Sequence, residues 1–399
     1  MSFKSLKDFK SLKDPEVKKA LYFVLLLGLV SLFGDMTYEA ARSITGPYLL
    51  YLGATATAVG FAAGFGEFIG YALRLISGYL ADRTKRYWFF TIFGYGINLL
   101  AIPALALAPT WQIAMMLIIL ERFGKALRVP ARDTFLSYAT IKIGRGIGFG
   151  LHEALDQVGA LIGPLIVFLV FYLGFGYKEA FSVLLAPALL ALTFLFIARL
   201  LFAVPAKFEA DTKQAQVLEQ RLPRDFWFYA FGMGFFAFGF LDFALISFHW
   251  QKAKVLDKNL IPLLYALAMG VDAISALILG YLYDRIKLKV LLLALVLSLW
   301  AIPLSILGDK LLVILGVILW GIGLSAQESI VRATVAELVP KERRGTAYGI
   351  FNALFGGFWF LGSFLLGFLY DYSPLFMVVC SVVFQALAIP FVIKVKVRK

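Results

Sequence analysis

The sequence predicts an all-α membrane protein of twelve transmembrane helices, arranged as two pseudo-symmetric six-helix bundles. Three observations lead there. Of 399 residues, 61% are hydrophobic and only 16% charged, with a mean hydropathy of +0.85; a soluble domain has about 45–50% apolar and about 25% charged residues. A soluble fold of this length cannot hide so much apolar side chain, so the surplus must face lipid. The apolar residues also fall into about twelve runs, each able to cross a hydrocarbon core roughly 30 Å thick. Finally, short segments of the first half recur in the second at an offset of about 200 residues, as inverted or repeated transporter halves do.

The predicted spans are 20–51, 55–81, 87–108, 111–139, 146–174 and 178–203, then 226–250, 259–283, 288–307, 311–338, 345–370 and 374–394. They are too long, and alternate too little, for the strands of an outer-membrane barrel. Before the first span, residues 1–19 carry Lys4, Lys7, Lys10, Lys13, Lys18 and Lys19. Asp35 and Glu39 follow within the same helix, so this is a retained basic tail rather than a cleaved signal. Bundles at 20–204 and 226–394 flank a polar linker at 205–225, and 395–399 form a second tail. Most Lys and Arg collect in the tails, the linker and every second loop, which places both termini in the cytoplasm of a plasma-membrane protein. The same scattering of charge argues against nucleic acid as a partner, despite a net charge of +13. The lone Cys380 rules out a disulfide within the chain.

The repeats are specific. Gly78-Tyr79-Leu80-Ala81-Asp82-Arg83 recurs as Gly280-Tyr281-Leu282-Tyr283-Asp284-Arg285, and Arg145-Gly146 with Phe149-Gly150-Leu151 as Arg344-Gly345 with Tyr348-Gly349-Ile350. The first, continued through Lys85-Arg86, resembles the signature loop between helices 2 and 3 of the major facilitator superfamily, with Lys85 where that family has its second glycine. Gly159, Gly163 and Pro164 in the fifth span resemble the helix-5 motif of its antiporter branches. Arg122 in the fourth resembles the arginine of its proton-linked drug and efflux antiporters. The resemblance covers nearly the whole chain. It implies alternating access, usually by a monomer, around a cavity lined by every helix except the third, sixth, ninth and twelfth. Asp82, Arg83 and Arg86, with Asp284 and Arg285, then make sense as a gate whose charges pair in one state and separate into water in the other.

A charge at mid-bilayer costs about 2.5–3.5 kcal/mol even on lenient scales, so each intramembrane charge needs a reason. In chain order the candidates are Asp35, Glu39, Arg42, Glu67, Glu121, Arg122, His152, Glu153 and Asp156, then Asp242, Asp272 and Glu328. Asp35, Glu67, Glu121 and Asp156 all fall near the midplane when a helix is taken to rise about 1.5 Å per residue. Carboxylic acids gathered out of water can exchange protons near neutral pH, with His152 a natural partner. Static salt bridges are the competing explanation, for example Glu121 or Asp156 with Arg122, and Glu67 with Arg74. Phe235, Phe236, Phe238, Phe240, Phe243, Phe358, Trp359 and Phe360 offer an aromatic wall, which with acids suits lipophilic or cationic cargo.

These features point to proton-coupled efflux of a small lipophilic or cationic compound. Three alternatives stay open. Arg42, Arg122, Lys125 and Arg132 would suit a proton-coupled importer of a small anion or sugar. His152, Glu153 and Asp156 would suit a divalent-metal exporter. A membrane sensor that keeps the fold without transporting is the third. No H-E-x-x-H, G-x-S-x-G or Walker-type loop is present, so neither enzymatic chemistry nor a cofactor is expected. The expected partners are a small-molecule substrate, protons and the lipid bilayer.

Overall fold

The computed structural model describes residues 15–202, 222–340 and 343–395. Positions 1–14 of the basic tail, 205–221 of the linker and 396–399 lie outside the described residues. The first half contains α1 (Pro15–Tyr51), α2 (Ala56–Thr84), α3 (Tyr87–Ala104), α4 (Trp111–Ile143), α5 (Arg145–Tyr172), α6 (Tyr177–Val183) and α7 (Leu185–Leu201). The second contains α8 (Arg224–Gly239), α9 (Phe243–Lys252), α10 (Leu260–Ile286), α11 (Leu288–Ser298), α12 (Ala301–Leu307), α13 (Lys310–Leu338), α14 (Arg344–Tyr372) and α15 (Pro374–Ile393). Residues 15–19, assigned above to the tail, are helical, and Arg224 and Asp225 open α8 rather than closing the linker.

Three crossings are each built from two helices: α6–α7, α8–α9 and α11–α12. With them the chain crosses twelve times, six in each half, so Pro15 and Val395 lie on one side, called here the terminus side. Eleven of the crossings are long and apolar enough to span a bilayer. The twelfth, α4, has 33 residues but is charged along its middle. It can cross because those charges turn inward: Glu121, Arg122 and Arg128 are all buried. The outward faces are Leu-, Ile- and Phe-rich, as lipid contact requires.

The break between α8 and α9 shapes the centre of the molecule. Unwinding at 240–242 frees two carbonyls, which would be costly in a lipid-like interior. Gly239 O is taken by Ser381 Oγ at 2.6 Å and Gln385 Nε2 at 3.1 Å, and Leu241 O by Trp320 Nε1 at 2.9 Å. Asp242 caps the new helix, accepting from Ala244 N at 2.9 Å.

Small residues set how closely the helices approach. In α5, a side chain at Gly159 would strike the Leu32 carbonyl, and one at Gly163 would lie 2.5 Å from Met36 O, both in α1. The loop after α2 turns on Lys85, held left-handed at φ 54°, where the resembling signature has glycine. Lys287, after α10, has φ 51°, so both halves place a lysine in a conformation that disfavours one.

Two stability tests follow from these positions. Gly163→Leu should lower the stability of the detergent-purified protein, followed by its thermal midpoint, by at least the roughly 1–3 kcal/mol typical of overpacking, whereas Gly357→Ala, which meets nothing within 4 Å, should not. Lys85→Gly should raise it by about 0.5–1 kcal/mol, the left-handed strain less the added chain entropy; a lowered midpoint would show the lysine is held there by contacts that outweigh its strain.

Candidate functional site: a charged cavity between the halves

A cavity of about 470 Å³ lies between the two halves. Its lining runs from Asp242 and Tyr265 towards Arg132, Asp133 and Ser329, which lie nearer the terminus side. The first half contributes the basic residues Arg42, Arg74, Arg122, Lys125, Arg128 and Arg132, and the acids Asp35, Glu39, Glu67, Asp133, Glu153 and Asp156. The second half contributes Asp242, Asp272 and Glu328, with Phe243, Tyr265, Trp320 and Trp359.

The acids expected to gather at the midplane separate into two groups. Glu39, Glu67 and Glu121 belong to an ion-pair network. Arg42 bonds Glu39 at 3.1 Å and Glu67 at 2.7 Å. Arg122 sits 3.2 Å from both Glu67 and Glu121. Asn98 of α3 donates to Glu121 Oε1 at 2.7 Å and accepts from Arg128 Nε at 3.2 Å. Glu39 also takes the Tyr265 hydroxyl, tying α1 to α10 across the two halves. Of the pairings anticipated above, Glu121 with Arg122 is present; Asp156 is instead beside His152.

The second group is Asp35, Asp156 and Asp272. Each has one carboxylate oxygen that is buried without a hydrogen-bond partner among the described residues. Asp156 Oδ1 lies 3.8 Å from His152 Nδ1, while His152 Nε2 is 3.4 Å from Ser31 Oγ, itself an acceptor from Arg132 at 3.1 Å. Asp272 accepts from Gln157 of the other half at 3.4 Å. The packing of Gly159 on α1 seats Asp156 near Asp35, whose Cβ is 3.1 Å from where a Gly159 side chain would begin.

Lys125 and Arg128, one turn apart on α4, both face the Tyr38 ring, at 4.1 and 5.7 Å. Neither has an ion pair within 4.0 Å among the described residues, and Arg128 Nη1 is buried without a partner. The sequence reading passed over Arg128 and Asn98. Positions 121, 122, 125, 128 and 132 recur at helical spacing, a signal that could have exposed the first. Asn98 is a single polar residue in an otherwise apolar span.

The aromatic wall is smaller than expected. Phe243 and Trp359 line the cavity, joined by Tyr265 and Trp320. Phe236 and Phe240 are core. Phe235, Phe238 and Phe358 pack among themselves and α15, with Phe238 stacked on Phe384 at 4.1 Å, and Phe360 packs on Phe61 and Phe65 of α2. Glu153, one residue from His152, is exposed, so His152, Glu153 and Asp156 do not converge. Among the described residues no three His, Cys, Asp or Glu side chains are placed to hold a metal ion.

The far side of the cavity is closed. A side chain at Gly46 of α1 would collide with the Ala244 carbonyl of α9, and one at Gly60 of α2 with the Ser363 carbonyl of α14. Asp371, at the end of α14, caps α2: it accepts from Ala56 N at 3.1 Å, Thr57 N at 2.9 Å and Thr57 Oγ1 at 2.6 Å. On the terminus side the repeated motifs lie at the protein surface. Asp82, Arg83, Arg86, Asp284 and Arg285 are exposed; Asp82 accepts from the Tyr87 hydroxyl at 2.9 Å, and Arg285 lies over Tyr281. Gly78 would meet Pro130 of α4 at 3.4 Å, while nothing lies within 4 Å of Gly280.

Two related six-helix halves around a charged crevice, sealed on one face, are the architecture of a solute transporter. The family model for the Major Facilitator Superfamily matches residues 24–363 and 235–396, and the chain belongs to that superfamily. An uncharacterized protein of Mycobacterium tuberculosis is 41% identical over 379 residues, 93% of each chain. An uncharacterized MFS-type transporter of Methanocaldococcus jannaschii is 26% identical over 370 residues, 90% of this chain and 91% of that one. Among solved structures, the nucleoside transporter NupG aligns with a TM-score of 0.73 at 15% identity, covering 94% of this chain and 100% of that one. A bacterial homolog of the human lysosomal transporter Spinster, inward-facing and occupied, aligns at 0.70 and 14%, covering 93% and 96%. The peptide transporter POT in complex with sulfate aligns at 0.70 and 13%, covering 93% of each chain.

The Asp371 cap should help hold the far side shut. In a Cys380→Ser, Thr45→Cys background, Asp371→Ala should speed labelling by an impermeant maleimide from that side about fivefold, the weight of a helix cap of about 1 kcal/mol. An unchanged rate would mean that the α1–α9 and α2–α14 contacts close it unaided.

Proposed function

We propose that the protein is a proton-coupled secondary transporter of a small polar solute, working by alternating access in the plasma membrane with both termini cytoplasmic. The observation that carries this is the division of the buried acids. Glu39, Glu67 and Glu121 are held by arginines, but Asp35 and Asp156 keep oxygens without a donor beside an accessible cavity. A buried carboxyl in that position needs a proton or a bound ligand to complete its bonding. Taking up and releasing that proton as the halves rock is how a proton gradient can be coupled to cargo.

The exposed gate motifs and the closed far side fit a state open towards the terminus side, here the cytoplasm by the distribution of Lys and Arg. The cavity modifies the expected cargo. A purely lipophilic or cationic compound would have to lie against Lys125 and Arg128, which have no neutralising partner within 4.0 Å among the described residues. Those two cations favour the other reading drawn from the sequence, a solute that carries an anionic group. The solved neighbours named for nucleosides and peptides agree with polar cargo. Because no three His, Cys, Asp or Glu side chains among the described residues are placed to hold a metal ion, the metal-exporter reading gains no support.

The coupling can be tested in proteoliposomes. A pH gradient imposed across the membrane should drive solute uptake by the wild type. Asp35→Asn and Asp156→Asn should each lose that drive while still exchanging labelled for unlabelled solute across the membrane. Gradient-driven uptake that survives in both variants would reject these acids as the proton site.

A further inference from the structure

The two walls of the cavity differ in charge. Basic side chains come only from the first half; among the described residues the second half supplies acids and aromatic rings and no lysine or arginine. We infer that the cargo is a small zwitterion with an apolar body, its anionic group held by Lys125 and Arg128, its cationic group by Asp272, and its apolar body by the aromatic rings of the second half. This rests on the reading of the cavity as the transport site.

Each end of the site has unused bonding capacity. Lys125 and Arg128 converge on Tyr38 from successive turns of α4. Of the nearby acids, Glu39 is already engaged by Arg42 and Tyr265, leaving Asp35, with Asp156 behind it, as the other charge in their field. A proton on Asp35 would leave the two cations without a competing anion, so proton and carboxylate would favour one another's binding. At the opposite wall Asp272 Oδ1, Gln327 Oε1 and Trp359 Nε1 are buried without partners among the described residues. Phe243 lies 4.6 Å from Tyr265 and 5.6 Å from Trp320, an aromatic cluster in the same lining that suits the apolar body of the cargo.

A singly charged cargo fits less well. An anion alone would leave Asp272 Oδ1 unsatisfied and meet the carboxylates of the second half's lining, Asp242, Asp272 and Glu328; a cation alone would meet Lys125 and Arg128. A zwitterion satisfies both walls, and because it bridges them it binds the closed state better than the open one, as alternating access requires. The volume of about 470 Å³ suits a molecule between an amino acid and a dipeptide in size.

The test uses the full-length protein in detergent and the fluorescence of its cavity tryptophans. The probes are L-alanyl-L-phenylalanine, its C-terminal amide and its N-acetyl derivative, with L-phenylalanine as a shorter zwitterion. The zwitterions should bind roughly ten- to a hundredfold more tightly than the singly charged forms, the weight of one charge-assisted hydrogen bond. Lys125→Gln should weaken zwitterion binding to the level of the amide, with amide binding held or improved because one repelling cation is gone. Asp272→Asn should weaken zwitterion binding to the level of the N-acetyl form, with that form's binding held or improved because one repelling carboxylate is gone. Wild-type protein that binds the amide or the N-acetyl compound as well as the parent, or that binds neither zwitterion, would overturn the proposal. Proton movement on adding each probe is recorded with the same protein in liposomes. Zwitterion binding without it overturns the coupling proposed above and not the cargo class; proton-coupled flux of a singly charged form alone does the reverse.

Discussion

The architecture depends on the cost of placing charge in hydrocarbon. Helix α4 carries acids and bases along its middle and still crosses the membrane, because every one of them is turned towards α1, α2, α3 or the cavity. Its partners follow from that demand. Asn98 sits on α3 to serve Glu121 and Arg128, and Glu67 on α2 to sit between Arg42 and Arg122. The first half is assembled around a set of charges that cannot be left bare. Packing of small residues then fixes the spacing, as where Gly159 and Gly163 let α5 close on α1.

The same cost explains why the remaining unpaired groups stand out. An ion pair in a low-dielectric interior is tolerable when its buried oxygens find donors, and no oxygen of Glu39, Glu67 or Glu121 is buried without a partner among the described residues. Asp35, Asp156 and Asp272 do not, and they border space that solvent or cargo can enter. Bonding, rather than depth or residue type, therefore divides the buried acids into two sets. The broken seventh crossing follows the same rule: its freed carbonyls are satisfied by α13 and α15, which leaves Asp242 and Phe243 at the cavity wall.

The two ends of the cavity are held differently. On the far side, backbones touch and a carboxylate of one half caps a helix of the other, so closure there is made from short, geometry-dependent contacts. On the terminus side, the repeated Asp-Arg motifs lie at the protein surface. Contacts of this kind can exchange with modest free-energy differences, since each hydrogen bond given up on one face is replaced by hydration and by contacts made on the other.

Most of the fold was legible in the sequence. Hydropathy and length gave the crossings, and the recurrence of Gly78–Arg83 at Gly280–Arg285 gave the two halves, because a membrane permits few solutions to the backbone's demand for hydrogen bonds. Even the charged fourth crossing could be placed. What the sequence left open was which acid meets which base. Glu67 and Asp35 are alike in type and predicted depth, yet one is clamped by two arginines and the other has a bare oxygen. Their difference depends on the rotation and tilt of α1, α2, α4 and α5 about their own axes. Those angles come from close packing between segments far apart in the chain. The aromatic wall shows the same limit: periodicity cannot tell a phenylalanine facing lipid or core from one facing the cavity, and only Phe243 and Trp359 of the expected set do. Composition and internal repeats determined that this chain spans the membrane as two related bundles; tertiary contact decided which of its buried acids are paired and which keep an oxygen without a donor.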